Sequence, residues 1–324
     1  MRIELPGLLD LQVNGFGGID FNAPDLTVDR AAEALERMRA TGVTRCLPTL
    51  ITSSFAQFAG SARVLARTTS TAVAGIHMEG PYLSAEDGAR GAHPREHVMP
   101  ASVDDFNRRQ DAADGRIVLV TLAPEVPGAV ALIDHLVASG VHAAIGHTAA
   151  TPQQIGEAIA AGATLSTHLG NGCAQMLPRH PNVIWELLAA DGVFASFIVD
   201  GHHLPSATVK AMVRAKGARK TILVTDAIAA AGCAPGPYSI GGVDCDLGED
   251  GRVSLPGTPY LAGSSLTMNR AIANTVRFTG LPLDEVIPMA STIPASYLDT
   301  TTAGTVSAEW DAEAGELQIR GVTP

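Results

Sequence analysis

The chain has 324 residues, 46% hydrophobic and 17% charged, a balance that buries a full core and excludes a disordered or fibrous protein. Its 22 Lys and Arg against 33 Asp and Glu give a formal charge of -11, with no basic cluster to track a phosphate backbone, so nucleic acid is not an expected partner. No apolar run is long enough for a membrane helix, the N-terminus lacks a signal-peptide pattern, and four scattered cysteines without CxxC spacing point to a reducing cytoplasm.

Short apolar or β-branched runs alternate along the chain with Ala-rich stretches of helical period, the pattern of βα units around a parallel sheet. The runs fall at 8–13, 44–50, 72–78, 116–122, 142–146, 164–167, 194–199 and 221–225. Eight is the number that closes a (β/α)8 barrel. Helices are predicted over 28–40, 55–67, 129–139, 152–161 and 205–215, several opened by Thr, Ser or Pro. Beyond the eighth run, Gly- and Pro-rich residues 232–257 read as one or two hairpins, and helical pattern returns at 266–278 and 283–297. Residues 304–321 alternate around a turn at 311–315 and predict a terminal hairpin. The expected organisation is one barrel over 6–300, with the hairpin insertion at 232–257 and a small β annex built from 1–5 and 301–324. The polar run 107–109 reads as a solvated helix face, and Trp185 and Trp310 as packing residues.

Chemistry in such a barrel sits at the C-terminal ends of the strands, where the loops converge on one mouth. Strand one ends at Gln12 and Asn14, strand three at Glu79, strand five at His147, strand six at His168, strand seven at Asp200 and strand eight at Asp226. Singly, each has an ordinary structural explanation, since a strand-end His often bonds a loop and an Asp caps a helix. Together they outweigh it. One Glu oxygen and two imidazoles supply three ligands to a divalent cation and leave a fourth position for water, as in a catalytic zinc-type site. A nearby carboxylate is then needed to take the proton and deliver it to a leaving group, and Asp226 is placed for that role. His77, two residues before Glu79, shares its side of the strand deeper in the barrel and reads as structural. Sequence spacing thus predicts hydrolysis and leaves the substrate open.

The segments PGLLDLQVNGFGGIDFN, HMEGPYLS, RGAHP, TLAPE, GHTAAT, STHLGN, DGHH, LVTDA and LAGSSLTMNRAI occur in this order between Pro6 and Tyr297. In this combination the chain resembles the N-acetylglucosamine-6-phosphate deacetylase family of the amidohydrolase superfamily. The resemblance implies an amidohydrolase-type (β/α)8 TIM-like barrel, metal binding by Glu79, His147 and His168, and Asp226 as general base and acid. With Gln12 and Asn14 where other superfamily members carry a metal-binding HxH pair, it implies one divalent ion, Zn2+ first, with Fe2+, Co2+ or Mn2+ as alternatives. It also implies that His93 polarises the acetyl carbonyl and that Asn171, Gly172, Arg179 and His203 contact the sugar phosphate. A homodimer in which Arg179 reaches a neighbouring site follows from the same resemblance.

The chain departs from the family where HLGNGCAQMLPRHPN replaces the usual HLFNAM and REPG, and in the shortness of the segment before strand one. The expected activity is hydrolysis of the N-acetyl group of N-acetylglucosamine-6-phosphate to glucosamine-6-phosphate and acetate. Alternatives are another N-acyl substrate (a galactosamine isomer, an unphosphorylated sugar or an acylated amino acid) and, from a different class, a non-catalytic sugar-binding protein.

Overall fold

The computed structural model describes residues 1–258 and 260–323. Its centre is an eight-stranded parallel sheet of Leu8–Val13, Val43–Ile51, Ile76–Glu79, Ile117–Leu122, His142–Ile145, Leu165–Ser166, Phe194–Ile198 and Thr221–Val224, each paired with the next. The seam between the first and last strands is closed by a parallel bridge from Val13 to Ala227. Asp226 N donates to Gln12 O at 2.9 Å and Asn14 N to Ala227 O at 2.7 Å across it. Buried side chains fill nearly every strand position, because helices cover the outside of the barrel and side chains pack its interior.

The covering helices begin where local chemistry supplies a cap. Thr27 and Ser54 accept from the backbone N–H of Arg30 and Gln57, and Thr151 forms a reciprocal capping box with Gln154. Each of the eight predicted runs overlaps a barrel strand. The third starts only at Ile76, and Val73 upstream of it makes an isolated parallel bridge to Cys46. The predicted helix over 283–297 is three pieces: Leu283–Val286, a 3-10 turn at Ile287–Ala290, and Thr292–Tyr297. Pro288 and Pro294 remove backbone donors within that stretch, which favours short pieces over one continuous helix.

Two helices, Val103–Ala112 and Val183–Ala189, lie outside the predicted set. In the first, Arg109 corrects the reading of 107–109 as a solvated face. It is only 2% exposed, bonds Asp105 Oδ2 through Nε at 2.7 Å, and lies over the Phe58 ring. Trp310 is buried as expected, whereas Trp185 is half-exposed beside His180.

The hairpin region forms a three-stranded antiparallel sheet, Gly236–Ile240, Val243–Leu247 and Val253–Ser254, over the barrel mouth. The termini form a second sheet in which Arg2–Pro6 and Glu316–Thr323 flank Thr305–Asp311. Val306, Ala308 and Trp310 alternate inward from its central strand, and Asn269 ties the sheet to helix Met268–Thr279 by donating to Leu317 O. No described helix is long and apolar enough to cross a membrane.

Candidate active site

The mouth of the barrel holds a cavity of about 320 Å³ whose lining includes Asn14, Glu79, His93, His147, His168, Asn171, Gly172, His203 and Asp226. Its polar centre is buried: Glu79 and His168 are 3% exposed and His147 is 7% exposed. Nε2 of His168 lies 3.1 Å from Glu79 Oε1 and 3.1 Å from Nε2 of His147, which is itself 3.4 Å from Glu79 Oε1. These three side chains are the group of metal-type donors found among the described residues, with ligand atoms within 4.8 Å of one another.

The donor set fits a divalent cation. Nδ1 of His147 is 3.0 Å from the carbonyl of Ala89, an arrangement that places the ring proton there and leaves Nε2 as a lone pair facing the cluster. Two imidazole nitrogens facing each other at hydrogen-bond distance beside a carboxylate are satisfied together by a shared cation, and two histidines with one carboxylate is a common catalytic ligand set. Burial pushes the Glu79 carboxyl up, but the hydrogen bonds and charges of His147 and His168 outweigh it and hold it well below the usual carboxylate range.

His147, His168 and Asp226 all have left-handed backbone, with φ of 49°, 30° and 49°. Side-chain-bearing residues hold such conformations only where the surroundings impose them, and functional sites collect them. Here each sits where a parallel strand turns sharply into its loop. The turns aim three polar side chains back over the barrel axis.

The Gln and Asn at the end of strand one act as donors. Gln12 Nε2 bonds Glu79 Oε1 at 2.8 Å, and Asn14 Nδ2 bonds Asp226 Oδ1 at 2.7 Å. Burial, reinforced by the Glu79 charge, raises the Asp226 carboxyl to about 6, despite opposing charges from His168 and His203 and the Asn14 hydrogen bond. A carboxyl so placed is mostly ionised at neutral pH yet readily takes a proton. His93 lies 3.7 Å from Glu79 and 2.9 Å from Thr52 Oγ1. Burial, with the His147 charge, lowers it to about 3, so it is neutral and its approach to Glu79 is a contact between a neutral ring and a carboxylate.

His77 lies at the barrel interior, against Leu11 O at 3.1 Å and Thr121 Oγ1 at 2.8 Å, and Thr121 continues to Thr167 at 2.7 Å. Burial lowers it to about 4, so this polar layer is uncharged. His203 lines the cavity, with Nδ1 2.6 Å from Asp200 Oδ2, while its neighbour His202 turns away to Asp250 O. Arg179 is the predicted site residue that the fold does not bring in; it is exposed on the loop before helix Val183–Ala189 and does not line the cavity. Sequence reasoning missed the opposite wall, where Ile240 and Val243 of the inserted sheet and Tyr260, Leu261, Ala262 and Gly263 close over the cavity. The LAGSS segment was the available signal, but its residue types carry no reactive group.

A closed parallel barrel with this cluster at its mouth defines a class of metal-dependent hydrolases. The family model described as "Amidohydrolase family" matches residues 3–314, and the chain belongs to that family. It is 34% identical over 322 residues to the N-acetylglucosamine-6-phosphate deacetylase of Lysinibacillus sphaericus, covering 97% of this chain and 81% of that protein. It is 32% identical over 315 residues to the N-acetylgalactosamine-6-phosphate deacetylase of Shewanella sp. (strain ANA-3), covering 94% and 77%. Among solved structures it resembles a mutant of the N-acetyl-D-glucosamine-6-phosphate deacetylase of Mycobacterium smegmatis in complex with N-acetyl-D-glucosamine-6-phosphate. The TM-score is 0.91 and the identity 33%, with 99% of this chain and 85% of that one covered. The chain is thus a deacetylase-like amidohydrolase, an enzyme that cleaves carbon–nitrogen bonds.

Proposed function

We propose that the enzyme removes the N-acetyl group of an amino-sugar 6-phosphate, N-acetylglucosamine-6-phosphate in the first instance, using one divalent cation held by Glu79, His147 and His168. The observation that carries this reading is the convergence of those three buried donors and Asp226 in one cavity. Zn2+ suits the two-imidazole, one-carboxylate set, with Fe2+, Co2+ or Mn2+ as alternatives. When bound, such an ion polarises the acetyl carbonyl and acidifies water at the site.

In this mechanism Asp226 removes a proton from the attacking water as its oxygen bonds to the acetyl carbon. It then returns that proton to the sugar nitrogen as the carbon–nitrogen bond breaks, giving acetate and the free amine. Asn14 holds one Asp226 oxygen and leaves the other for this exchange. With Thr52 Oγ1 2.9 Å from its Nδ1, His93 in the tautomer protonated at Nε2 would stabilise the developing oxyanion. Asn171, Gly172 and His203 face the sugar, with Asp200 fixing the His203 ring.

No Arg or Lys is among the described residues lining the cavity, which favours a counter-charge for a substrate phosphate from outside that lining. We infer that Arg179 supplies it from a neighbouring copy, making the enzyme a homodimer. A planar guanidinium suits bidentate phosphate binding. The four free cysteines fit a reducing cytoplasm as its location.

The galactosamine isomer is the second reading, favoured by the similarity to the Shewanella enzyme. Acetate release from both 6-phosphates and from unphosphorylated N-acetylglucosamine tests the proposal. The expected result is a preference for phosphate of about a hundredfold in kcat/KM, roughly 2.7 kcal/mol of transition-state binding. Equal rates with and without phosphate contradict it, and faster release from the galactosamine 6-phosphate selects the second reading.

A further inference from the structure

The TLAPE segment ends strand four with a carboxylate that takes no part in the mechanism above. The geometry points to Glu125 as a positioning residue that holds the metal-binding His147 in place, an inference that rests on the proposed metal site. Its Oε2 accepts from Thr148 Oγ1 and its Oε1 from Ala149 N, both at 2.6 Å. Both oxygens are therefore engaged by the two residues that follow His147. Hydrogen bonds to an ionised carboxylate are short and strong, and a bidentate grip on consecutive residues fixes the turn's orientation.

The turn needs such support. His147 is left-handed, with φ of 49°, a conformation that a side-chain-bearing residue adopts only where its surroundings impose it. Its ring is also tightly enclosed: a Cβ on Gly172 would sit 3.0 Å from Nδ1, and one on Gly91 would sit 3.1 Å from Cε1. The remaining backbone bonds lead outward from this turn. Ser84 N donates to His147 O, and Thr148 N donates to Gly172 O in the loop that faces the sugar. Thr148 Oγ1 also accepts from Ala150 N at 2.9 Å. Glu125 thus grips the point where the metal ligand and the substrate loop meet. Partners behind a ligand commonly matter for metal affinity through ligand orientation.

The test measures the apparent affinity of metal-stripped full-length protein for Zn2+ by competition with a chromogenic chelator, and records the visible absorption of the Co2+-loaded form. Glu125→Gln keeps the side-chain size but places an amide donor against a donor in the turn. It is expected to weaken Zn2+ binding about ten- to a hundredfold and to alter the Co2+ spectrum. Thr148→Val is expected to weaken binding by less, and Thr148→Ser to retain wild-type affinity. Should Glu125→Gln fold poorly, that Thr148 pair decides the matter. Lys216→Met supplies the control, since Lys216 donates to the carbonyls of Leu187 and Ala190 away from the cluster. It is expected to lower the urea midpoint while leaving Zn2+ affinity unchanged. Wild-type affinity in Glu125→Gln, or an equal affinity loss in Lys216→Met, overturns the positioning role alone. A wild-type protein that binds no divalent cation overturns both this inference and the metal site on which it rests.

Discussion

The floor of the cavity and its rim are built on different principles. On the floor, Glu79, His147, His168 and Asp226 stand at barrel strand ends; the first three are buried and Asp226 is half-buried, and Gln12 and Asn14 hold Glu79 and Asp226. On the rim, Arg179 is exposed on an irregular loop and lies outside the cavity lining. In the proposed mechanism the groups that break the bond therefore stand together in one chain, whereas Arg179, the proposed phosphate contact, stands apart from them. Bond-breaking groups need fixed distances, which a closed barrel supplies. A surface loop can take its final position from a neighbouring copy.

That contrast predicts separable phenotypes. Arg179→Ala is expected to lower kcat/KM for the 6-phosphate by about one to two orders of magnitude, the scale of a charged hydrogen-bonded contact, while leaving the unphosphorylated sugar unaffected. Steady-state kinetics on both sugars reads this out, and an equal loss on both would place Arg179 in the folding of the rim.

A smaller effect concerns stability and comes from the floor. Burial raises the Asp10 carboxyl to about 7 even though Thr225 and the Gln12 backbone bond it. Because the folded protein holds this proton more tightly than the unfolded chain, the associated stability is present in full below about pH 4 and is lost as the pH rises through about 7. Asp10→Asn is expected to flatten that part of the pH–stability profile, as urea midpoints at mildly acidic and mildly alkaline pH would show. An unchanged profile would mean that Asp10 titrates near its ordinary value.

Much of the floor was legible in the sequence for the same physical reason that makes it rigid. A parallel barrel writes its strands as short apolar runs, so a polar residue just after each run stands out, and Glu79, His147, His168 and Asp226 occupy such places. His77 also read correctly as a deeper barrel residue, since strand alternation sets its side. The rim was less legible. Tyr260, Leu261 and Ala262 line the cavity through contacts set by the path of the inserted sheet, which no local periodicity encodes. Arg109 misled because its half-buried partner Asp105 lies one helical turn away, outside the polar run 107–109. The grip of Glu125 on the turn after His147 joins residues far apart in the chain, and only the folded barrel brings them together.

The account stands most directly on Asp226. The decisive measurement is acetate release by Asp226→Asn from the preferred 6-phosphate, alongside its metal content. The account predicts that the variant keeps its divalent cation and loses about a hundredfold or more in kcat, the usual contribution of a general acid–base group. Turnover near that of the wild type with the cation retained would contradict it.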